Sequence, residues 1–263
     1  MNSSKKSTKN LLFLTATITP KLGVPNLKRT DPQQRLQDYA KALEFYLDQI
    51  GVCCDGIIFV ENSNSDVGPL RSLVEAKNLS DSVEFIVFEG LDYPVHYDRG
   101  YGEFRLLDYG MTHSQLIKRF ADSRTVIWKA TGRYVVQNLS EMIASQPAQF
   151  DLYCNYRNYP KHWVDTYFLA WTPQGYETCL RDVYHRLKTN VPGIPQGIAA
   201  EELLRSWLDQ RFIKTHAKIV RRLRATPDLK GIRGADNSGY NTDNLWKFRF
   251  RSAVSRLLPW VWI

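Results

Sequence analysis

The chain has 263 residues, of which 43% are hydrophobic and 24% charged, so it is long and apolar enough to bury a sizeable core. Its formal net charge is +8. Residues 216–263 contain ten Lys or Arg and three Asp, so this tail carries nearly all of the net positive charge. Charge confined to a tail argues against a general nucleic-acid-binding surface, and no apolar run is long enough to cross a bilayer.

Strands and helices alternate in the first half of the sequence. Apolar, β-rich runs at residues 11–18, 56–60, 83–88 and 125–128 predict four buried strands. Between them, Asp31 and Pro32 are typical of a helix N-terminus, and residues 70–77 and 104–120 predict further helices. This order predicts an α/β fold with a mostly parallel central sheet flanked by helices.

The second half of the sequence is less regular. Residues 151–156 and 165–172 predict two strands, and residues 174–187 and 199–212 predict helices separated by a Pro/Gly loop at 192–197. We expect one domain over residues 1–215 and a basic, aromatic C-terminal extension over residues 216–263. The N-terminus runs into the first strand and is not typical of a signal peptide, and the four cysteines lack metal-type spacing, which favours free thiols in a reducing cytosol.

Polar side chains follow the first two predicted strands. Thr15 and Thr17 lie near the end of the first strand, and Glu61 and Asn62 come directly after the second. Ligands bind at the carboxyl ends of parallel strands, so these residues are candidates for contact with a ribose or a base. The alternative is turn formation, in which such side chains bond their own backbone.

A glycine-containing segment precedes the predicted helix at 104–120. Arg99, Gly100, Gly102 and Glu103 lie in it, and two glycines would let the backbone approach an anion near a helix N-terminus. The alternative is a flexible loop in which Glu103 helps to start the helix.

Two cations follow the fourth predicted strand. Lys129 and Arg133 flank Thr131 and Gly132, and two permanent charges beside a ligand crevice are costly to bury without an anion. A diphosphate would satisfy both cations, and Arg can bind it through two N–H groups. The alternative is a pair of ion pairs with nearby carboxylates.

Three acidic residues in the second half are candidate general bases. Glu201 and Glu202 begin a predicted helix, and Asp165 opens a predicted strand. Adjacent helical residues point in different directions, so only one of Glu201 and Glu202 can face a site. The alternative is that these acids cap helix N-termini and complement the helix dipole.

The end of the sequence combines aromatic and basic residues. Residues 244–263 read NLWKFRFRSAVSRLLPWVWI, in which apolar bulk, Trp and cations suit attachment to an anionic membrane surface. The alternative is a C-terminal element packed on the domain.

Taken in order, these segments resemble the GT-A class of nucleotide-sugar glycosyltransferases, and specifically bacterial enzymes of capsule, lipopolysaccharide and O-antigen synthesis. The similarity covers the first half to two thirds of the chain. The segments that carry it are TATI at 15–18, FVENS at 59–63, RGYGE at 99–103 and TVIWKATGRY at 125–134.

The resemblance implies a nucleotide-sugar donor, a saccharide or lipid-linked acceptor, and an inverting transfer on the inner face of the cytoplasmic membrane. In this class the fourth strand usually ends in an Asp-x-Asp motif that holds a divalent metal. Lys129, Ala130 and Thr131 stand there instead, so we expect no cofactor to be required and leave metal dependence open. The alternatives are a non-catalytic nucleotide-sugar-binding partner subunit and a basic RNA-binding protein, the latter disfavoured by charge confined to the tail.

Overall fold

The computed structural model describes residues 8–121, 124–159, 161–239 and 253–254. Almost all of the aromatic, basic segment at 244–263 therefore lies outside the described residues. Its attachment to a membrane stays a prediction, as does the boundary between a domain and a tail at residue 215. Within the described residues, no helix is long and apolar enough to cross a membrane.

The first half of the chain alternates strands and helices, as predicted. In chain order the elements are β1 (Lys9–Ala16), α1 (Pro32–Leu47), β2 (Gly56–Glu61), α2 (Gly68–Ala76), β3 (Val83–Val87), α3 (Asp98–His113), α4 (Gln115–Arg119) and β4 (Thr125–Thr131). The predicted N-cap of α1 is confirmed, because Oδ1 of Asp31 accepts a hydrogen bond from the backbone N–H of Gln34 at 2.8 Å.

The second half consists of short elements. They are β5 (Val135–Val136), α5 (Leu139–Ala144), β6 (Leu152–Tyr153), β7 (Tyr156–Arg157), β8 (Trp163–Val164), β9 (Phe168–Trp171), α6 (Pro173–Cys179), α7 (Ala200–Thr215), β10 (Ile219–Val220) and β11 (Leu229–Lys230). The predicted helix at 174–187 is interrupted, because Asp182 adopts a left-handed conformation with φ of 58° before a 3-10 helix at Val183–Arg186.

Seven strands form the central sheet in the order β10-β6-β9-β4-β1-β2-β3. Strands β1, β2, β3 and β4 are parallel, and β9 runs antiparallel to both β4 and β6. The predicted α/β fold with a mostly parallel sheet flanked by helices is confirmed. Strand β1 lies between β2 and β4, so the connections that follow β1 and β4 diverge. A crevice therefore opens at the carboxyl ends of these strands.

The segment at 98–103 is helical and not a loop, so this prediction was wrong. Helix α3 begins at Asp98 and runs through both glycines, and it ends where Ser114 caps α4 by accepting a hydrogen bond from the N–H of Ile117 at 3.1 Å. Gly100 is needed here for packing, because a Cβ at this position would overlap the Cβ of Ala200 at the start of α7. The contact places the N-termini of α3 and α7 side by side.

The sheet is buried on both faces, which explains the continuous apolar runs of its parallel strands. One face packs on α1 through Tyr39, Leu43 and Tyr46. The other face packs on α3 and α7 through residues such as Phe104 and Leu204. The rigid sheet and these three helices hold the elements that surround the crevice.

Candidate functional site

A cleft of about 510 Å³ opens at the carboxyl ends of β1, β2 and β4. Its volume lies in the range that small-molecule and cofactor sites occupy. Many of the predicted site residues line it, namely Thr15, Thr17, Asn62, Arg99, Gly100, Gly102, Glu103, Thr131, Arg133, Asp165 and Glu201. The lining does not include Glu61, Lys129, Gly132 or Glu202.

Lys129 lies beneath the floor of the cleft. Its side chain is 0% exposed, and its ammonium donates to Oε1 of Glu103 at 2.5 Å and to the carbonyl of Thr166 at 2.5 Å. Burial lowers the pKa of Lys129, while the adjacent Glu103 carboxylate opposes this shift. Direct contact between Lys129 and a diphosphate was predicted, but the ammonium lies outside the lining of the cleft and donates to residues that do line it, among them Glu103 and, at 3.2 Å, the hydroxyl of Thr131.

Glu103 connects the buried ammonium to the open cleft. Its Oε1 also accepts hydrogen bonds from the hydroxyls of Thr15 at 3.1 Å and Thr131 at 3.2 Å, while its side chain remains 23% exposed. Burial alone would favour the neutral acid, but Lys129 and the two threonines outweigh it and lower the pKa of Glu103. Glu103 is therefore an ionised carboxylate in the cleft wall.

Arg133 lies in the cleft wall and does not use all of its N–H donors in bonds to the described residues. Its guanidinium donates to the carbonyl of Ile232 at 2.5 Å and to the hydroxyl of Tyr134 at 2.9 Å. A guanidinium has five N–H groups, and Arg133 has no carboxylate partner among the described residues. Gly132 brings this turn against β1, because a Cβ there would lie 2.8 Å from the carbonyl oxygen of Thr15.

Two further cations in the cleft were missed by sequence reasoning. Arg35 on α1 is only 5% exposed and donates to uncharged acceptors, the carbonyls of Thr17 and Arg29 and the hydroxyl of Tyr39. Lys21 donates to the carbonyl of Tyr93 at 2.8 Å. Neither has a carboxylate partner within 4.0 Å in the described part of the chain. Arg35 and Lys21 share the cleft because residues 17–29 fold over α1, which the sequence alone does not show.

Arg99 stands at the cleft on the first turn of α3. Its Nε lies 3.6 Å from the carboxylate of Asp98, the residue that precedes it, and its side chain is 43% exposed. A weak ion pair at such exposure leaves the guanidinium able to turn towards a ligand. Arg99 therefore adds positive charge where α3 meets α7.

Glu201 and Glu202 have different environments, as their helical spacing predicted. Glu201 lines the cleft beside the hydroxyl of Thr166, at 3.5 Å, and burial raises its pKa, with a further contribution from the nearby Glu103. Glu202 accepts from the N–H of Ala199 at 3.0 Å and pairs with Lys161 at 2.9 Å. Glu202 thus caps α7, which is the alternative interpretation, and Glu201 is the member of the pair that faces the cleft.

Asp165 also lines the cleft but is firmly paired. Its carboxylate accepts from Arg157 at 2.9 Å, from the amide of Asn155 at 2.8 Å and from the hydroxyl of Tyr167 at 3.1 Å. Three protein donors, one of them a guanidinium, therefore already occupy this carboxylate. Its role as a base stays a prediction, with weaker geometric support than that of Glu201.

The polar residues after β2 divide into two roles. Thr17 and Asn62 both line the cleft, where Oδ1 of Asn62 accepts from the hydroxyl of Thr17 at 2.6 Å. Glu61 is 0% exposed and accepts from the N–H groups of Ile18, Ser63 and Ser65. In this structure Glu61 forms the turn, as the alternative interpretation stated, and holds it against β1.

The unpaired charges of the cleft are mostly positive. Three cations, Lys21, Arg35 and Arg133, lack an ion pair among the described residues, whereas Glu201 is the unpaired carboxylate facing them. An anionic ligand is favoured in such a site because it replaces water around charges that the protein leaves uncompensated. No group of three or more His, Cys, Asp or Glu side chains that could hold a metal ion occurs in the described ranges.

No protein-family model matches the sequence, and no curated protein matches it either. Among solved structures, one similar fold belongs to a protein described as a nucleotide-diphospho-sugar transferase from Desulfovibrio desulfuricans G20, with 11% identity, a TM-score of 0.49, and coverage of 95% of this chain and 91% of that chain. Another belongs to the inositol-1-phosphate CTP transferase from T. maritima, with 12% identity, a TM-score of 0.40, and coverage of 95% and 96%. At these values the likeness carries no argument about activity, which depends on the residues of the cleft.

Proposed function

We propose that the protein is a glycosyltransferase that takes a sugar from a nucleotide-sugar donor and transfers it to a hydroxyl of a saccharide acceptor. The observation that carries this proposal is one cleft whose lining combines a carboxylate of raised pKa, Glu201, with three cations that have no carboxylate partner in the described part of the chain, Arg133, Arg35 and Lys21. A diphosphate carries several negative charges, so several cations in one cleft suit it. A general base suits a hydroxyl acceptor, because the hydroxyl must lose its proton during transfer.

The donor would lie across the carboxyl ends of the strands. Thr17 and Asn62 would contact the nucleoside, because they line the end of the cleft next to α1. Arg133 would bind the diphosphate through N–H groups that have no acceptor among the described residues, supported by Lys21 and Arg99. Lys129 would not contact the diphosphate, because its ammonium is buried and pairs with Glu103.

Glu201 would remove the proton from the acceptor hydroxyl as its oxygen attacks the anomeric carbon of the donor sugar. The bond from that carbon to the diphosphate oxygen breaks, and the nucleoside diphosphate leaves with the electron pair. A single displacement of this kind inverts the anomeric centre. Cations around the departing diphosphate stabilise the charge that develops there, which is the work that a metal does in many transferases.

We further propose that the acceptor is lipid-linked and belongs to cell-surface polysaccharide synthesis on the cytoplasmic face of the membrane. The support is the motif resemblance at residues 125–134 and the aromatic, basic sequence of residues 244–263. Deleting the residues after Asn244 should move the protein from the membrane fraction to the soluble fraction. Unchanged membrane association of the truncated protein would contradict the attachment.

The proposed function is tested by incubating the purified protein with a panel of nucleotide sugars and following release of the nucleoside diphosphate, with and without EDTA. Turnover that survives EDTA is expected if the cations replace a metal. A protein that binds donors but never turns them over would instead be the non-catalytic partner subunit. If no nucleotide sugar binds at all, the proposal is wrong.

A further inference from the structure

The two carboxylate oxygens of Glu103 differ in their hydrogen bonds to the described residues. Oε1 accepts hydrogen bonds from Lys129, Thr15 and Thr131. Oε2 accepts none from the described residues, although the side chain lines the cleft and is 23% exposed. Three donors on one oxygen fix the orientation of the carboxylate, so Oε2 is presented to whatever occupies the cleft.

An ionised carboxylate can only accept hydrogen bonds, so the ligand group that meets Oε2 must be a donor. The hydroxyls of a sugar are donors, whereas the oxygens of a diphosphate are acceptors and carry negative charge. Glu103 therefore suits the sugar part of a nucleotide sugar and opposes the phosphate part.

The charges of the cleft are divided between two ends. Besides burial, the carboxylates of Glu103 and Asp98 both raise the pKa of Glu201 at the junction of α3 and α7, where Arg99 pairs with Asp98 and opposes this effect. Arg133 lies at the other end, where its guanidinium bonds Ile232 and packs against Gly234, whose carbonyl in turn accepts from the N–H of Lys28. A ligand that is anionic at one end and rich in neutral hydroxyls at the other matches this division.

We infer that Glu103, held by Lys129, Thr15 and Thr131, binds hydroxyls of the donor sugar, and that the donor sugar is neutral and not a uronic acid or other acidic sugar. This inference rests on the proposed function. A carboxylate on the sugar would lie against Glu103 and Glu201, and like charges at close range are destabilising. Lys129 is then a positioning residue, since it fixes Glu103 without reaching the ligand.

The test compares matched ligands by isothermal titration calorimetry on the full chain in EDTA. The probes are UDP and GDP, the neutral donors UDP-glucose and GDP-mannose, and the acidic donors UDP-glucuronate and GDP-mannuronate. In the unmodified protein we expect the neutral donor of one base to bind at least about tenfold more tightly than its acidic counterpart, the difference made by one hydrogen bond to a charged group.

The variants are Glu103→Gln and the double variant Lys129→Met/Glu103→Gln, the second of which leaves no unpaired buried charge if the first fails to fold. Both should lose the preference for the neutral donor while binding of the free nucleoside diphosphate changes little. Equal weakening of both ligands, or an acidic donor that binds as well as the neutral one in the unmodified protein, overturns the inference but leaves the proposed function. Absence of binding by every nucleotide and nucleotide sugar overturns both.

Discussion

The ammonium of Lys129 and the Oε1 of Glu103 lie 2.5 Å apart, and the Lys129 side chain is wholly buried while the Glu103 side chain lines an open cleft. Sequence position alone connects neither residue to the other, since one is on β4 and the other on α3. The ion pair compensates the ammonium of Lys129, which would be unfavourable in the core alone, and it fixes the Glu103 carboxylate in the cleft wall.

The first prediction concerns the stability of this pair. Lys129→Met should lower the free energy of unfolding by about 3–5 kcal/mol, the usual cost of removing one partner of a buried ion pair, because Glu103 keeps its charge without its main donor. The double variant Lys129→Met/Glu103→Gln should recover part of the loss. Urea unfolding followed by circular dichroism measures both, and additive losses in the double-mutant cycle would show that the two side chains are not coupled.

A second prediction separates the two adjacent glutamates at the start of α7. Glu201→Gln should reduce kcat by about 100-fold or more, because it removes the proton acceptor. Glu202→Gln is the matched control, since its amide can still accept from the N–H of Ala199, and it should stay within about threefold of the unmodified rate. Equal effects of the two changes would contradict the assignment of the base.

The raised pKa of Glu201 gives a third prediction, on stability. Since the folded-state pKa lies above the unfolded value, the folded state binds more protons between the two, and stability falls as the pH rises through this window. Glu201→Gln should therefore raise Tm at pH 8 and have no effect below pH of about 4, where the carboxyl is neutral in both states. A Tm gain of the same size at both pH values would show that burial of the charge is not the cause.

A fourth prediction tests Arg133 as a diphosphate ligand. Arg133→Met should raise the Kd for the nucleoside diphosphate by about 10- to 100-fold, the range for hydrogen bonds to charged groups. Arg181→Gln is a suitable control because Arg181 pairs with Glu177 on a half-exposed surface outside the cleft. Calorimetry should show unchanged affinity in the control, and unchanged affinity in Arg133→Met would remove this residue from the diphosphate site.

The contact between α3 and α7 provides a fifth prediction. Gly100→Ala would force the Cβ atoms of residues 100 and 200 apart, shift the start of α7 and displace Glu201 from the cleft. We expect kcat to fall by about tenfold or more, since misplacement of a base by about 1 Å has large effects. The double variant Gly100→Ala/Ala200→Gly removes the clash and should restore most of the rate, whereas failure to restore it would point to a cause other than this contact.

The sequence by itself determined the α/β class, the four parallel strands and the N-cap of α1. These follow from local patterns, namely continuous apolar runs for strands buried on both faces and an Asp-Pro pair at a helix start. The sequence also predicted that most of the candidate site residues lie at one edge of the sheet, because the carboxyl ends of parallel strands meet there.

Only the tertiary structure decided how the charged groups are used. Arg35 and Lys21 join the cleft because residues 17–29 fold over α1, and Lys129 faces Glu103 because α3 packs on the sheet at that height. Glu61 and Glu202 form a turn and a cap, while Glu201 faces the cleft. The reason is physical: local sequence sets backbone conformation, whereas the partner of a charge is chosen by which segments, distant in the chain, are packed within a few ångströms of it.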